Sequence, residues 1–412
     1  MDTAFGLFFQ GYPSLLKKFR SQQRDVLETN LLPFFKTIAM RGEEAARLFY
    51  DDRKFSRRGV IAKPGNKNFV ATGSLQSATL NPEMLHLAPA HTIDAAAIDR
   101  LEQIFVQQWH ECQEQWQTRS NIVLFNEVEK MLCISACQWL GIPLHEQEVN
   151  LRSGQFSVLI DADGAVGPRY FRGRTCRKKL EMWLAKLTAD LRGGRLRVSG
   201  GSVFQSVAFR KDAMGNVLDP FTVAAELLGI IKPIVAVARH VVFSALALHE
   251  NPNYSHKLKA NPNMYSHFAH EVRRYYPFSP MLAAKVLDPF EYEGIKFDKG
   301  VVVMLDIYAT NHHENAWDNP SVFYPERFEN WDSNSAFNFI SRSGNSTDFN
   351  HQYAGEQITT KLTTAALQFL NENMQYTVPE QDLTVDINRL PVVPQSRFKL
   401  KLTAEVKGLK AM

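Results

Sequence analysis

Apolar residues recur three and four positions apart through most of the chain, and this spacing predicts a mainly α-helical protein. An amphipathic helix is predicted over 98–116, with Thr92 or Asp94 as the residue that caps its start. A second helix is predicted over about 124–140, because the segment Gly141 to Pro143 then stops the pattern.

The longest apolar stretch covers residues 221–250 and predicts a long central helix. Its middle carries Lys232 next to Pro233, a charged side chain beside a residue that bends helices. The peptide Asn251 to Asn253 is expected to end this helix. We expect no run in the chain to span a bilayer.

Strand patterns are a minor part of the sequence. Alternating apolar residues between Lys285 and Leu305, interrupted by Glu293-Gly294 and Lys299-Gly300, predict a small sheet with tight turns. No internal repeat or low-complexity linker divides the chain. The fold class predicted is mainly α with a minor β-sheet region, in a single domain over residues 1–412.

The last helical pattern follows a loop rich in Ser, Asn and Gly. This loop is expected to lead through His351 to Glu356. A helix is then predicted, with apolar positions that bury one face: Ile358, Leu362, Ala365, Ala366, Phe369 and Leu370.

Composition and charge narrow the class of protein. The chain has 412 residues, of which 45% are hydrophobic and 22% charged, and its 28 phenylalanines suit a broad apolar interior. A net charge of +4 demands neither nucleic acid nor a membrane surface. The basic stretch 164–179 is interpreted as a solvated helix face, with regular helix resuming at Leu180. The expected partner is a hydrophobic small molecule or acyl substrate, and no oligomeric state is predicted.

Four cysteines lack the spacing of a metal site. Cys133 and Cys137 lie four apart on a helical pattern, which favours packing over a disulfide. Asp2 stands where a signal peptide would carry a basic residue. A cytoplasmic protein with reduced thiols is therefore expected, and no metal is predicted beyond a haem iron.

Several strings are specific enough to indicate a family. They are Glu271-Val272-Arg273-Arg274, Pro325-Glu326-Arg327-Phe328, GAVGPR at 164–169, FSALALHE at 243–250 and LDIYATNH at 305–312. Over nearly its whole length the chain resembles the cytochrome P-450 superfamily, in the branch of the bacterial fatty-acid peroxygenases. The resemblance implies the cytochrome P-450 fold and a buried ion network of Glu271, Arg274 and Arg327.

The resemblance fails at the haem ligand. The branch has G-H-R-C-x-G-E where this chain has N-H-Q-Y-A-G-E, so Tyr353 occupies the position of the cysteine thiolate that binds haem iron. Tyrosine ligates iron only as phenolate, and its reference pKa of about 10 demands a nearby positive charge. The neighbouring family arginine is Gln352, and only Arg342 is placed to substitute. His351 keeps a second propionate-binding position.

The positions that hold the haem propionates have also changed. Where relatives carry a histidine, an arginine and a lysine, this chain has Thr79, Pro82 and Glu83. The loss of each charge-assisted hydrogen bond to a propionate should weaken haem binding by about 1.5–3 kcal/mol. The glycines of the ligand loop are reduced to Ser343-Gly344-Asn345, and Asn350 replaces another.

The distal side carries Lys232-Pro233 where the relatives have an Arg-Pro pair that binds the fatty-acid carboxylate and directs peroxide activation. Lysine keeps the charge and loses the bidentate geometry. If it is buried without a carboxylate partner, its pKa falls and the amine serves as base or nucleophile. The alternative is a lysine paired with a buried acid.

Three hypotheses follow. The favoured one is a haem-free protein that holds a fatty-acyl-like or natural-product biosynthetic intermediate in an apolar cavity. There Tyr353 as acid and Lys232 as base would catalyse condensation, cyclisation or isomerisation. The second is a haem b protein with Tyr353 on the iron, acting on a fatty acid with hydrogen peroxide. The third is a non-catalytic pseudoenzyme that binds a lipid or partner.

Overall fold

The computed structural model describes residues 15–32, 35–56, 93–163, 165, 167–212, 214–278, 281–331, 337–340, 349–387, 389 and 391–403, with the backbone alone at 30–32, 35 and 349–353. Several sequence predictions lie outside these residues. They concern Thr79, Pro82, Glu83, Thr92, Arg342 and the glycine-poor loop at 343–345.

Helices form most of the described chain. In order they are α1 (15–22), α2 (Glu43–Phe49), α3 (Ala95–Trp116), α4 (Leu124–Leu140), α5 (Glu146–Asp161), α6 (Pro168–Arg192), α7 (Val203–Ala208), α8 (Pro220–Ala236), α9 (Ala238–Glu250), α10 (Asn253–Ala260), α11 (Met264–Tyr275), α12 (Ile307–Asn311) and α13 (Phe349–Gln368). A 3₁₀ turn covers Pro325–Phe328, and a π-helical turn, Phe369–Asn373, extends α13.

Local sequence explains where these helices begin and end. The Asp94 carboxylate accepts a hydrogen bond from the backbone N–H of Ala97 at 2.7 Å and caps α3, as predicted. Helix α4 ends at Gly141, whose φ of 76° is a left-handed conformation that glycine adopts without strain. Helix α6 runs unbroken from Pro168, so the expected restart of helix at Leu180 is wrong. Proline at the first position favours the earlier start.

Among the residues that the structure describes, three small sheets accompany the helices. The largest contains β1 (Val26–Leu32), β2 (Phe35–Met40), β3 (Phe55–Ser56), β5 (Met281–Val286) and β8 (Val302–Asp306), in the order β1-β2-β8-β5-β3. Only β2 and β8 pair in parallel, with Ile38 opposite Val303, and the other neighbours are antiparallel. A second sheet has the order β4-β10-β9 (Ile122–Val123, Lys399–Leu402, Tyr376–Thr377), and β6 (Phe290–Tyr292) pairs with β7 (Ile295–Phe297). The predicted mainly α fold with a minor sheet is confirmed.

The long apolar stretch forms α8 and α9, which meet at Val237. There the backbone N–H of Val237 donates to the carbonyl of Ile234, three residues back, one turn after Pro233. A proline inside a helix removes a hydrogen-bond donor and tightens or bends the helix in this way. By length and composition Pro220–Glu250 is apolar enough to cross a bilayer, contrary to our expectation, but 67% of its most apolar window is buried inside the protein.

The helices share one large apolar core. Trp109 of α3 stacks on Phe369 with ring centroids 5.3 Å apart, and both are buried. Cys133 and Cys137 face the same core as free thiols, which confirms packing over a disulfide. The core therefore holds α3, α4, α8, α9 and α13 against one another.

A buried ion network joins α11 to the 3₁₀ turn. The guanidinium of Arg274 donates to both carboxylate oxygens of Glu271, at 2.7 and 2.8 Å, and both side chains are fully buried. Arg274 also donates to the carbonyls of Asn311 and Pro320, and Arg327 lies 3.2 Å from Glu271. The predicted network of Glu271, Arg274 and Arg327 is confirmed. Because its charges also contact several loop carbonyls, it ties the loop segments to the helices.

Candidate active site

The helix that carries Tyr353 begins earlier than the sequence predicted. Helix α13 starts at Phe349, so the backbone of His351 and Tyr353 lies in its first two turns, and the loop expected up to Glu356 is wrong. The reason lies in packing: the buried stripe of Ile358 and Leu362 extends one turn back through Ala354. The chemical roles of Tyr353 and His351 stay predictions.

One turn after Tyr353, Glu356 binds a buried arginine of α11. The guanidinium of Arg273 donates to Glu356 at 2.6 Å and to the hydroxyl of Thr360 at 2.9 Å. The same guanidinium lies 5.6 Å from the ring centroid of Phe339. These contacts fix the start of α13 on α11, and the carboxylate of Glu356 compensates the charge of Arg273.

His270 lies one turn before Arg273 on α11. Its ring stacks on Phe328 with centroids 5.4 Å apart and an interplanar angle of 28°. Burial, with the charge of Arg273 as a second cause, lowers the pKa of His270 to about 4. The imidazole is therefore neutral at physiological pH.

At the centre of the helical core, Lys232 is paired with an acid. Its ammonium donates to the carboxylate of Asp163 at 2.7 Å, and the two side chains are only 4% and 6% exposed. The sequence left two alternatives open, and the structure contains the paired lysine. The lysine is therefore not buried without a carboxylate, which was the condition for its use as a lone base or nucleophile. Catalysis by Lys232 stays a prediction.

Asp163 is the residue that sequence reasoning missed. It lies two residues beyond the end of α5, just before α6, and 69 positions from Lys232 along the chain. Its only sequence signal is an acid that follows the apolar end of a helix, which is also common at exposed helix ends. The contact brings the α5–α6 connection against the middle of α8.

Asp161, the last residue of α5, and Asp163, two residues later, bind cations in different parts of the protein. Asp161 binds Arg389, near the C-terminal end of the described chain, at 2.8 and 3.0 Å, and it lies 3.4 Å from Arg169. Asp163 binds Lys232 instead. The side chain of Asp161 is 30% exposed, so one acid of this short segment is partly at the surface and the other is inside.

A second buried acid lies close to the central helix. Glu129 of α4 is 4% exposed, and burial raises its pKa to about 7 despite the charge of Arg239 and a hydrogen bond with Ser157. Arg239, in α9, also places its guanidinium 5.2 Å from the ring centroid of Phe125. Among the residues that the structure describes, no three His, Cys, Asp or Glu side chains form a cluster suited to a metal ion.

We compared the chain with known protein families, curated proteins and solved structures. A family model described as cytochrome P450 matches residues 247–343. Cytochrome P450 4A11 of Homo sapiens is 29% identical over 133 residues, a match that covers 32% of this chain and 23% of that protein. The chain thus matches less than a quarter of this curated relative.

Solved structures match over the whole length. Cytochrome P450SP alpha in complex with (R)-ibuprophen is 30% identical, with a TM-score of 0.87 over 97% of this chain and 98% of that chain. Cytochrome P450EX alpha with myristic acid is 30% identical, with a TM-score of 0.83 over 97% and 96%. A variant of cytochrome P450 OleT in complex with arachidonic acid is 27% identical, with a TM-score of 0.85 over 97% and 95%. The ion network, the helical core and these matches show that the chain belongs to the cytochrome P450 superfamily, in the bacterial fatty-acid peroxygenase branch.

Proposed function

We propose that this chain is a haem-free cytochrome P450 homologue that binds a hydrophobic molecule beside its central helix. Its ligand is fatty-acyl-like or a natural-product intermediate, and any catalysis is acid–base chemistry such as condensation, cyclisation or isomerisation. Tyr353 is the candidate acid. The Lys232–Asp163 pair, rather than a lone amine, is its candidate basic partner. We place the protein in the cytoplasm, in keeping with the burial of its longest apolar helix.

The observation that carries this proposal is the donor at the haem-ligand position. A thiolate gives the iron the electron density that favours O–O cleavage, whereas Tyr353 offers a phenol. A phenolate needs a neighbouring cation. The buried cation that binds the following turn of the helix, Arg273, is held by Glu356. The residues present therefore do not fit a haem–thiolate centre.

The distal side supports the same proposal. In the described part of the chain, Lys232 contacts the carboxylate of Asp163 and its charge is compensated within the protein. Acid–base chemistry needs no iron, and a buried lysine–carboxylate pair holds both a proton donor and a proton acceptor in fixed positions.

Absorbance of the purified protein tests haem binding. We expect protein from haem-supplemented cells to lack a Soret band, and Tyr353→Phe to be equally colourless. Cytochrome P450EX alpha produced in the same cells is the control for haem supply. A strong Soret band in the parent contradicts the proposal. Its loss in Tyr353→Phe would identify Tyr353 as the iron ligand.

Turnover separates an enzyme from a binding protein. If the proposal is right, Tyr353→Phe and Lys232→Ala lower the turnover of a hydrophobic substrate while its binding is largely kept. Binding without any turnover in the parent would favour a non-catalytic pseudoenzyme.

A second candidate is a haem b protein with Tyr353 on the iron, acting on a fatty acid with hydrogen peroxide. The similarity at 30% identity to a structure that holds myristic acid, across 97% of this chain, favours it. Peroxide-dependent oxidation of myristic acid by haem-loaded parent, abolished in Tyr353→Phe, would establish this activity and exclude the haem-free proposal.

A further inference from the structure

Four of the five buried lysine and arginine residues in the described part of the chain bind a carboxylate of the protein itself. The buried lysine and arginine residues there are Arg41, Lys232, Arg239, Arg273 and Arg274. A buried charge is tolerated when a counter-charge and hydrogen bonds compensate for the lost water. The identity of each counter-charge therefore shows which of these cations already serve a contact within the protein.

Three of these cations belong to contacts between structural elements. Arg41 binds Asp25 at 2.8 Å and Glu314 at 3.0 Å. Arg274 binds Glu271, and Arg273 binds Glu356. Each holds a helix or strand end in place, so none is available to a ligand.

The other two lie on the central helix. Lys232 of α8 binds Asp163 at 2.7 Å. Arg239 of α9 lies close enough to Glu129 to lower the pKa of that carboxyl against the effect of burial. The lysine at the centre of the apolar interior therefore already binds a carboxylate of the protein.

A ligand carboxylate brought to Lys232 would have to displace Asp163 or lie beside it. Displacement leaves Asp163 buried without its cation, and juxtaposition places two carboxylates on one ammonium. An uncharged group neither displaces Asp163 nor adds a second negative charge beside it. Such groups are an ester, an amide, a thioester, an alcohol or a hydrocarbon. We propose that the ligand is uncharged at the end that enters the interior, and that Asp163 determines this specificity by occupying Lys232. The inference rests on the proposed function only in placing the ligand beside the central helix.

A matched pair of probes tests the inference. Laurate and methyl laurate have the same chain and differ in charge at pH 8, and each can displace the neutral dye Nile red from the full-length protein. In the parent we expect methyl laurate to displace the dye at a concentration about tenfold or more below that of laurate, since one charge-assisted contact is worth about that factor.

Asp163→Asn keeps the size of the side chain and removes its charge. We expect it to improve laurate displacement about tenfold and to leave methyl laurate unchanged. Asp99→Asn is the control, because Asp99 pairs with Lys361 and its side chain is half exposed. The ratio of the laurate and methyl laurate concentrations that displace the dye should be the same in this variant as in the parent. The double variant Lys232→Met/Asp163→Leu removes both charges and should still prefer the ester. This variant covers the case in which Asp163→Asn does not fold.

The inference is overturned if the parent prefers laurate or binds both probes equally, or if neither displaces the dye. It is also overturned if Asp163→Asn leaves the ratio unchanged, or if the double variant accepts laurate. Absorbance of the same samples reports separately on haem. A Soret band with a preference for the ester contradicts the proposed function alone, and a preference for laurate without a Soret band contradicts this inference alone.

Discussion

Two buried ion pairs in this protein show how differently charges are used in one fold. The Glu271–Arg274 pair lies three residues apart on one helix, and its arginine also contacts several backbone carbonyls. The Lys232–Asp163 pair joins segments 69 residues apart in the middle of the apolar core. The first pair belongs to the network of Glu271, Arg274 and Arg327, which we call the frame and which ties loop segments to the helices. The second pair lies inside the helical core. The comparison indicates that the frame serves the fold, whereas the second pair places two opposite charges in an otherwise apolar interior.

The largest effect should come from the frame. Arg274→Ala leaves Glu271 buried without its bidentate partner and leaves the carbonyls of Asn311 and Pro320 without a donor, so we expect a loss of about 5 kcal/mol in the free energy of unfolding. Denaturant unfolding measures it, with the exposed Arg47→Ala as control. A loss below about 1 kcal/mol would show that the network is not needed for folding.

The interior pair should behave differently from the frame, because it is replaceable. Lys232→Met removes the ammonium that binds the buried carboxylate of Asp163, and the free energy of unfolding should fall by about 3 kcal/mol. Lys232→Met/Asp163→Leu removes both charges and should recover most of that loss. Denaturant unfolding of the two variants gives both values. If the double variant is no more stable than the single one, the Lys232–Asp163 pair is needed for folding in the same way as the Glu271–Arg274 pair.

Acid should lower the free energy of unfolding through His270, which precedes Glu271 of the frame on α11. Its pKa is lowered to about 4 in the folded protein, so below pH 6.5 the unfolded chain binds a proton that the folded one does not, and stability falls as the pH falls. Between pH 7 and pH 5 this amounts to about 2 kcal/mol. His270→Phe should reduce the pH dependence of the free energy of unfolding by that amount. A second buried histidine, His312, also has a pKa lowered by burial, to about 3. Because His312 is present in both proteins, their difference isolates His270, and equal slopes would contradict the assignment.

The smallest effect is expected at the surface. Asp99→Asn breaks an ion pair with Lys361 whose side chains are 51% and 39% exposed, and the free energy of unfolding should change by less than about 0.5 kcal/mol. A loss as large as that for Lys232→Met would show that position in the core does not explain the difference between these pairs.

The sequence predicted the frame better than the interior for a physical reason. Helix α4 and the cap at Asp94 depend on neighbouring residues, and Glu271 and Arg274 lie one turn apart, so local patterns contain them. The partner of Lys232 depends on how the α5–α6 connection packs on α8, which no periodicity encodes. The start of α13 was misplaced because Ala354 adds a buried contact that only tertiary packing supplies.

Asp161 at the end of α5 and Asp163 just after it link the surface of this fold to its interior. Asp161 is fixed to Arg389 near the C-terminal end, and two residues later Asp163 holds the central lysine. The position of the carboxylate that binds Lys232 therefore depends on an ion pair at the protein surface.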